Sequence, residues 1–144
     1  MMSGELSKEG GQLALRFLLG IPDSGGKPPE LPPERYLALL TAAPPPEATM
    51  ANLAELETVG YVRAPVGTWR MPDTMPASAS NDGAVEFGPF GDDMTEPVTH
   101  AALVTDGAST AGTFVMWWEL DQEVQALKGQ VVRFAPDRLT RTII

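Results

Sequence analysis

The stretch VTHAALVTDGASTAGTFVMWWEL, residues 98–120, decides the fold class of this 144-residue chain. Val98–Val104 and Thr113–Leu120 are apolar segments with a period of two, which is typical of β-strands because successive side chains point to opposite faces. Asp106-Gly107 between them is a turn signal. The stretch therefore predicts two strands separated by a turn.

Further strand-like segments lie on both sides of this stretch. They are Tyr36–Ala42, Val59–Val66, Ala84–Phe87 after the Asn81-Asp82-Gly83 turn, Gln130–Ala135 and Leu139–Ile144. A short helical turn is expected over Gln122–Lys128. About seven short strands separated by turns predict a mainly β body over residues 36–144, built as an antiparallel sandwich or barrel.

Residues 1–35 form a different region, predicted as a short helix followed by a proline-rich arm. Ser7 is a suitable N-cap and Gly20 is a natural residue after a helix end, so we expect a helix between them. Residues 13–19, LALRFLL, are apolar nearly all round. Such a short helix must be buried either by the body of its own subunit or by a neighbour.

The span Ile21–Pro46 holds eight of the 14 prolines. Before Tyr36 we expect extended polyproline II or turn conformations. Two interpretations stay open for this part. It is a stiff surface loop, or it is an arm that lies on another subunit, since proline lowers the entropy lost on docking. In the second case Ile21 and Leu31 are the apolar anchors.

Charge is distributed unevenly along the chain. The net charge is -9, and residues 71–127 contain no Lys or Arg but ten Asp and Glu. A polyanion would be repelled by this stretch, which argues against DNA or RNA as its direct partner. The stretch is a solvated acidic face, or it is a surface that imitates nucleic acid. Arg133, Arg138 and Arg141 give a small basic excess near the C-terminus that could touch an acidic protein surface.

The residue types of the chain do not indicate a reactive site. The absence of Cys excludes disulfides and thiolate metal sites, and a single His excludes multi-histidine sites. His100 is the only candidate for a catalytic triad, but it lies within an apolar strand and is interpreted as structural. Residues 107–112 resemble a nucleophile elbow without its second Gly or its following helix. We expect no catalytic residue and no cofactor.

Metal ions and membranes are also not expected as partners. Asp92 and Asp93 with Glu96, or Asp82 near Asn81, could hold calcium in a loop, but their spacing does not match an EF-hand. No segment approaches the 18 apolar residues that a membrane helix needs. The chain is therefore expected to be soluble and made in the cytoplasm.

Two adjacent tryptophans stand in the second strand of the opening stretch. Trp117 and Trp118 must point to opposite faces of that strand, so one is expected in the core and the other exposed or against a partner. The alternative is that the domain's own loops bury both.

Four motifs in order resemble a small β-rich structural family of tailed bacteriophages. They are Tyr36–Pro44 (YLALLTAAP), Gly60–Val66 (GYVRAPV), Ser80-Asn81 before Val85–Phe87, and Val98–Leu103 (VTHAAL). Members are described as tail-fibre-like or capsid decoration proteins. With its proline-rich arm, the chain is most similar to the decoration (cement) proteins of phages that infect extremely thermophilic bacteria. The resemblance covers about residues 13–144.

The resemblance implies a thermostable, non-enzymatic homotrimer with a β-tulip-like body and arms that reach across neighbours. Such a protein sits on the outer capsid surface of the virion and clamps subunits of the major capsid protein. A tail-tip or tail-fibre module, and an acidic inhibitor that imitates nucleic acid, are the alternatives. The residues predicted to contact other subunits or the capsid are Phe17, Ile21, Pro28, Pro29, Leu31, Pro32, Pro33, Trp117, Trp118, Arg138 and Arg141.

Overall fold

The computed structural model of the chain describes residues 2–30 and 33–143. This part of the chain contains one α-helix, one short 3₁₀ helix (Met50–Asn52) and eleven strands. In chain order the elements are β1 (Met2–Ser3), β2 (Glu5–Leu6), α1 (Lys8–Leu19), β3 (Tyr36–Leu40), β4 (Ala64–Pro65), β5 (Trp69–Arg70), β6 (Ala77–Asn81), β7 (Val85–Phe87), β8 (Val98–Val104), β9 (Phe114–Val124), β10 (Val132–Phe134) and β11 (Leu139–Ile143). The predicted mainly β class and the N-terminal helix are confirmed.

The largest sheet has five strands in the order β2-β9-β8-β3-β4, and all of its pairs are antiparallel. The strands predicted from residues 98–120 form its centre, where Ala102 faces Ala38 on β3 and Trp117 on β9. The β8–β9 pair is antiparallel and joined by residues 105–113. The stretch that predicts the fold class is therefore the middle of the main sheet.

Two smaller sheets complete the fold. One has the order β1-β11-β6-β5, in which β1 and β11 are parallel and the other pairs are antiparallel. The other is the β7–β10 ribbon. The sheets form an open sandwich, and among the described residues they do not close into a barrel. The barrel alternative is therefore wrong.

Apolar side chains are buried on both faces of the five-stranded sheet. On the inner face, Leu37, Leu39 and Trp118 pack in one cluster with residues of the two smaller sheets, such as Phe87 and Leu139. The second cluster is on the other face and contains Ala38, Leu40, Ala48, Met50, Ala102, Val104 and Phe114. Burial on both sides explains why β3 is a continuous apolar run and does not alternate.

Two secondary-structure predictions are corrected. Only Ala64–Pro65 of the expected strand Val59–Val66 is extended in a sheet. A turn precedes it, in which the Tyr61 N–H donates to the Thr58 carbonyl and Gly60 has a φ of 88°. The left-handed φ of Gly60 breaks the extended backbone that the alternating pattern suggested.

The expected helical turn over Gln122–Lys128 is also wrong. Strand β9 continues to Val124, and its pairing with β8 shifts between Val98 and His100. Residues 122–124, the first part of the predicted turn, therefore belong to β9. A tight turn then follows, in which the Gln130 N–H donates to the Leu127 carbonyl.

Candidate functional site

Several large apolar side chains are exposed on the C-terminal half of α1. Leu15, Leu18 and Leu19 share one side of the helix by their spacing, and their exposed fractions are 57%, 75% and 68%. Phe17, which points to a different side of the helix by its spacing, and Ile21, which follows the helix, are also exposed. We call these five residues the α1 apolar surface. Large apolar patches on a soluble domain commonly mark an interaction site.

Ser7 fixes the start of α1 against the main sheet. Its Oγ accepts a hydrogen bond from the Gly10 N–H at 2.8 Å, which caps the helix. The same hydroxyl donates to the Phe114 carbonyl, and the Ser7 N–H donates to the Val115 carbonyl at 3.0 Å. One residue therefore joins the cap of α1 to strand β9.

Gly10 allows the first turns of α1 to lie directly on β9. It is buried, and a Cβ at this position would lie 1.8 Å from the Val115 carbonyl oxygen. The helix ends at Gly20, which has a φ of 64°, and the Ile21 N–H donates to the Arg16 carbonyl at 2.9 Å. The helix is held at its N-terminal half, while its C-terminal half presents the α1 apolar surface.

The segment after α1, as far as it is described, lies at the surface. Pro28 and Pro33 are exposed and Pro29 is half-buried. The Asp23 carboxylate accepts from the N–H groups of Lys27 and Gly25, and these bonds, that from Lys27 first, hold the pKa of Asp23 below its usual range. The segment thus begins with an ordered turn. The predicted contact residues Leu31 and Pro32 lie outside the described residues.

The tryptophan pair divides as the alternation predicts. Trp118 has no exposed surface, stacks on Trp69 with ring centroids 6.3 Å apart, and donates to the Thr140 carbonyl at 2.9 Å. Trp117 is half-buried on the opposite face. Trp118 is therefore a core residue, and its place among the contact residues is corrected because its side chain does not reach the surface of this chain.

The two C-terminal arginines predicted as contacts lie in different environments. Arg138 is exposed and its Nη2 lies 3.3 Å from Asp121 Oδ2. The half-buried Arg141 instead donates from Nη1 to the Gly4 carbonyl at 2.8 Å. Arg138 therefore stays a surface residue, whereas Arg141 joins β11 to the backbone between β1 and β2.

His100 lies in a packed environment. It is 9% exposed, its Nδ1 is 2.7 Å from Thr99 Oγ1, and its ring centroid is 5.5 Å from that of Trp117. Burial lowers the pKa of His100 below its usual value, against a smaller opposite effect of Glu119. These contacts agree with the structural interpretation of this histidine.

The loop that resembled a nucleophile elbow is a turn organised by Asp106. The Asp106 carboxylate accepts from the N–H groups of Ala108 and Ser109 at 2.8 and 2.7 Å. The Ser109 Oγ accepts from the Ala111 N–H. Each of these bonds lies within the turn, so they order the loop and do not link Ser109 to His100.

The loops named as possible calcium sites have structural partners. Asp93 accepts from the Lys128 N–H at 2.8 Å, and Asn81 donates to the carbonyls of Gly83 and Ala135. Across residues 2–30 and 33–143, no three His, Asp or Glu side chains group together as a metal site would need. In the same ranges, no helix has the length and apolar character needed to cross a membrane.

Residues 24–142 match the family described as podophage GP4 fiber I protein gp80. This range is well over half of the chain and includes the three sheets except for the edge strands β1 and β2 and the last residue of β11. The chain belongs to this family. No curated protein matches it.

Membership of the gp80 fiber family confirms the predicted resemblance to phage structural proteins. It supports a structural role and suggests location in the virion and a non-enzymatic function. The matched range begins after α1, which ends at Leu19. The helix that carries most of the α1 apolar surface therefore precedes the part of the chain that the family describes.

The structure brings together only some of the predicted contact residues. Phe17 and Ile21 lie on the α1 apolar surface with Leu15, Leu18 and Leu19, which were predicted only as part of an apolar helix. The sequence contains a signal for the exposure of these leucines, because residues 13–19 contain more apolar residues than one buried face needs.

Proposed function

We propose that this chain is a non-enzymatic structural component of a phage virion that assembles into a homotrimer through the α1 apolar surface. The observation that carries the proposal is the exposure of four large apolar side chains on one short helix, and of Ile21 just after it, in a member of the gp80 fiber family. Complete burial of such a side chain contributes about 1.5–3 kcal/mol, and those here are already partly covered. Several such contacts per subunit are needed to offset the loss of freedom on association.

The proline-rich segment after α1 acts as the second contact in this proposal. Pro28 and Pro33 are exposed, and the turn around Asp23 directs the start of the segment. An extended segment with fixed φ angles loses less entropy when it docks on a neighbour. Contacts repeated in three copies strengthen one another, because each contact raises the effective concentration of the next.

Two positions in the virion are compatible with this assembly. The family description, a fiber protein, favours a tail-fibre or tail-tip module. The second position is the outer capsid surface, where the trimer clamps subunits of the major capsid protein, as the resemblance to decoration proteins implies. The exposed segment after α1 favours this second position, since a clamp needs an arm that reaches another subunit.

The acidic surface supports a third, weaker alternative. Residues 71–127 contain no Lys or Arg, so an inhibitor that imitates nucleic acid would present this stretch to a basic host protein. Such binding would weaken strongly with added salt, because it rests on exposed charges. A structural role in the virion does not predict this salt dependence.

Gold-labelled antibody against the purified protein, applied to virions of the phage that encodes the chain, tests the proposal. Label on the tail supports the fibre module, and label on the head surface supports the capsid clamp. Virions that carry no label, while free protein is detected in the infected cell, would contradict the virion role and favour the inhibitor.

The same labelling tests the role of the α1 apolar surface. Phage grown with the double substitution Leu18→Asp and Leu19→Asp should lose most of the label, because both side chains are highly exposed and their charges oppose apolar contact. Val62→Asp is the matched control, since Val62 is equally exposed but lies outside α1. Equal label with the double variant and the control would contradict assembly through α1.

A further inference from the structure

A pocket of about 280 Å³ opens between the four-stranded and the five-stranded sheets. Trp69 contributes one wall from β5, while Leu103 and Met116 contribute the opposite wall from β8 and β9. Met71 follows β5 at the same opening and is 72% exposed. The walls are therefore largely apolar, although they lie where solvent can enter.

Two arginines line this apolar pocket, Arg35 before β3 and Arg141 on β11. Among the described residues, neither forms an ion pair with a carboxylate. Among the described residues Arg16 also has no carboxylate partner, whereas Arg63, Arg70, Arg133 and Arg138 each pair with an Asp or Glu. Two guanidinium groups without carboxylate partners in a chain of net charge -9 make this pocket locally cationic.

Arg141 has hydrogen-bonding capacity that the described chain does not use. Its Nη1 donates to the Gly4 carbonyl at 2.8 Å, but its Nε is buried and has no acceptor. A buried donor without an acceptor is costly, so such groups usually have a partner when a protein is in its working state. Nε is itself shielded, so an anion in the pocket would balance the charge of this guanidinium and would not bond Nε directly.

We propose that this pocket binds a small amphipathic carboxylate, with its apolar chain against Trp69, Leu103 and Met116 and its carboxylate between Arg35 and Arg141. Guanidinium groups match carboxylates in shape and charge and form paired hydrogen bonds with them. An apolar cavity of about 150 Å³ holds benzene, so this pocket has room for a ligand of roughly ten to twelve heavy atoms. A medium-chain fatty acid has this size and chemistry. The proposal is independent of the assembly through α1.

Titration with decanoate, followed by tryptophan fluorescence and by calorimetry, tests the site in the full-length protein. Trp69 lines the pocket and stacks on Trp118, so a bound chain should change the emission. Decanol has the chain without the charge, and acetate has the charge without the chain. We expect decanoate to bind at least about tenfold more tightly than either, because both parts of the pocket contribute.

Arginine substitutions assign the headgroup site. Arg141→Met and Arg35→Met should each weaken decanoate binding about tenfold, while decanol binding changes little. Arg138→Met is the matched control, because it removes the same charge from an exposed position outside the pocket. Arg35→Met serves alone if Arg141→Met does not fold, since the Arg35 side chain makes no hydrogen bond within the described chain.

Three results would overturn the proposal. The first is the absence of a fluorescence or heat change with decanoate up to its solubility limit. The second is binding of decanol as tight as that of decanoate, which would leave only an apolar cleft. The third is equal loss of decanoate affinity in Arg138→Met and Arg35→Met, which would reduce the effect to overall charge.

Discussion

Glu55 is the centre of a network that joins residues 55–63 to the turn at residues 106–109. Its two carboxylate oxygens accept hydrogen bonds from Nη2 and Nε of Arg63, each at 2.8 Å, and one also accepts from the Tyr61 hydroxyl. Arg63 Nη1 donates in turn to the carbonyls of Asp106 and Ser109. The network therefore replaces the strand expected at Val59–Val66, because its side chains fix an irregular backbone against the 106–109 turn.

Removal of the Glu55 charge should destabilise the fold. Glu55→Gln leaves the guanidinium of Arg63, which is 7% exposed, without its counter-charge. We expect a loss of about 2–3 kcal/mol in the free energy of unfolding, at or below the lower limit of about 3 kcal/mol for fully buried pairs, because the Glu55 side chain is 24% exposed. Urea denaturation at neutral pH measures it. Glu57→Gln, an exposed neighbour, is the control and should change the stability by less than about 0.5 kcal/mol.

The same substitution has a defined pH dependence. Burial raises the pKa of Glu55, but hydrogen bonds from Arg63 and Tyr61 outweigh it and bring the pKa below the ordinary value of 4.5. The stabilisation is thus complete above pH 4.5 and is lost as pH falls through the lower, folded pKa. The stability difference between wild type and Glu55→Gln should shrink in acid. A difference that is constant down to about pH 3 would contradict this network.

At the scale of elements, substitutions at two adjacent glycines of α1 test the helix propensity and the docking of this helix separately. A Cβ at Gly11 has no neighbour within 4 Å, whereas a Cβ at Gly10 overlaps the Val115 carbonyl. Gly11→Ala should raise the free energy of unfolding by about 0.5–1 kcal/mol, because alanine favours the helix. Gly10→Ala should lower it by about 1–3 kcal/mol, because α1 must move away from β9. Thermal and urea unfolding of both variants measure this, and equal effects would show that α1 does not dock here.

Elements with strong local signals were predictable from the sequence. Strands β3, β8 and β9 have apolar patterns, and α1 has its cap at Ser7 and its end at Gly20. Strand β6, with the sequence ASASN, has no large apolar residue and becomes a strand by pairing with β11, more than fifty residues away. Such long-range pairing leaves little trace in a local pattern.

The α1 apolar surface and the pocket between the sheets also differ in how well the sequence predicts them. An excess of apolar residues in α1 indicates an exposed surface from a single short segment. The pocket between the sheets could not be predicted, because Arg35, Trp69, Leu103 and Arg141 come from separate elements that only the folded sandwich brings together. The charge pattern along the sequence does not indicate the pocket, because its two arginines, Arg35 and Arg141, are far apart in the sequence.

At the scale of the whole molecule, the exposed half of α1 bears on whether the chain is a monomer or assembles with other copies of itself. The sandwich buries the described tryptophans at least partly and has two apolar clusters of its own, so it does not need the C-terminal half of α1 for its core. Exposed side chains on α1 are therefore available for contact between copies. Residues 1–35, predicted as a region apart from the body, carry these contacts in the proposed trimer.

Sedimentation equilibrium of the purified protein at micromolar concentration tests the central claim most directly. We expect wild type and Val62→Asp to have about three times the chain mass of 15.4 kDa. The Leu18→Asp and Leu19→Asp double variant should have the mass of one chain while it keeps the β-sheet circular dichroism of the sandwich. Wild-type protein with the mass of a single chain, or a double variant that stays trimeric, would contradict assembly through the α1 apolar surface.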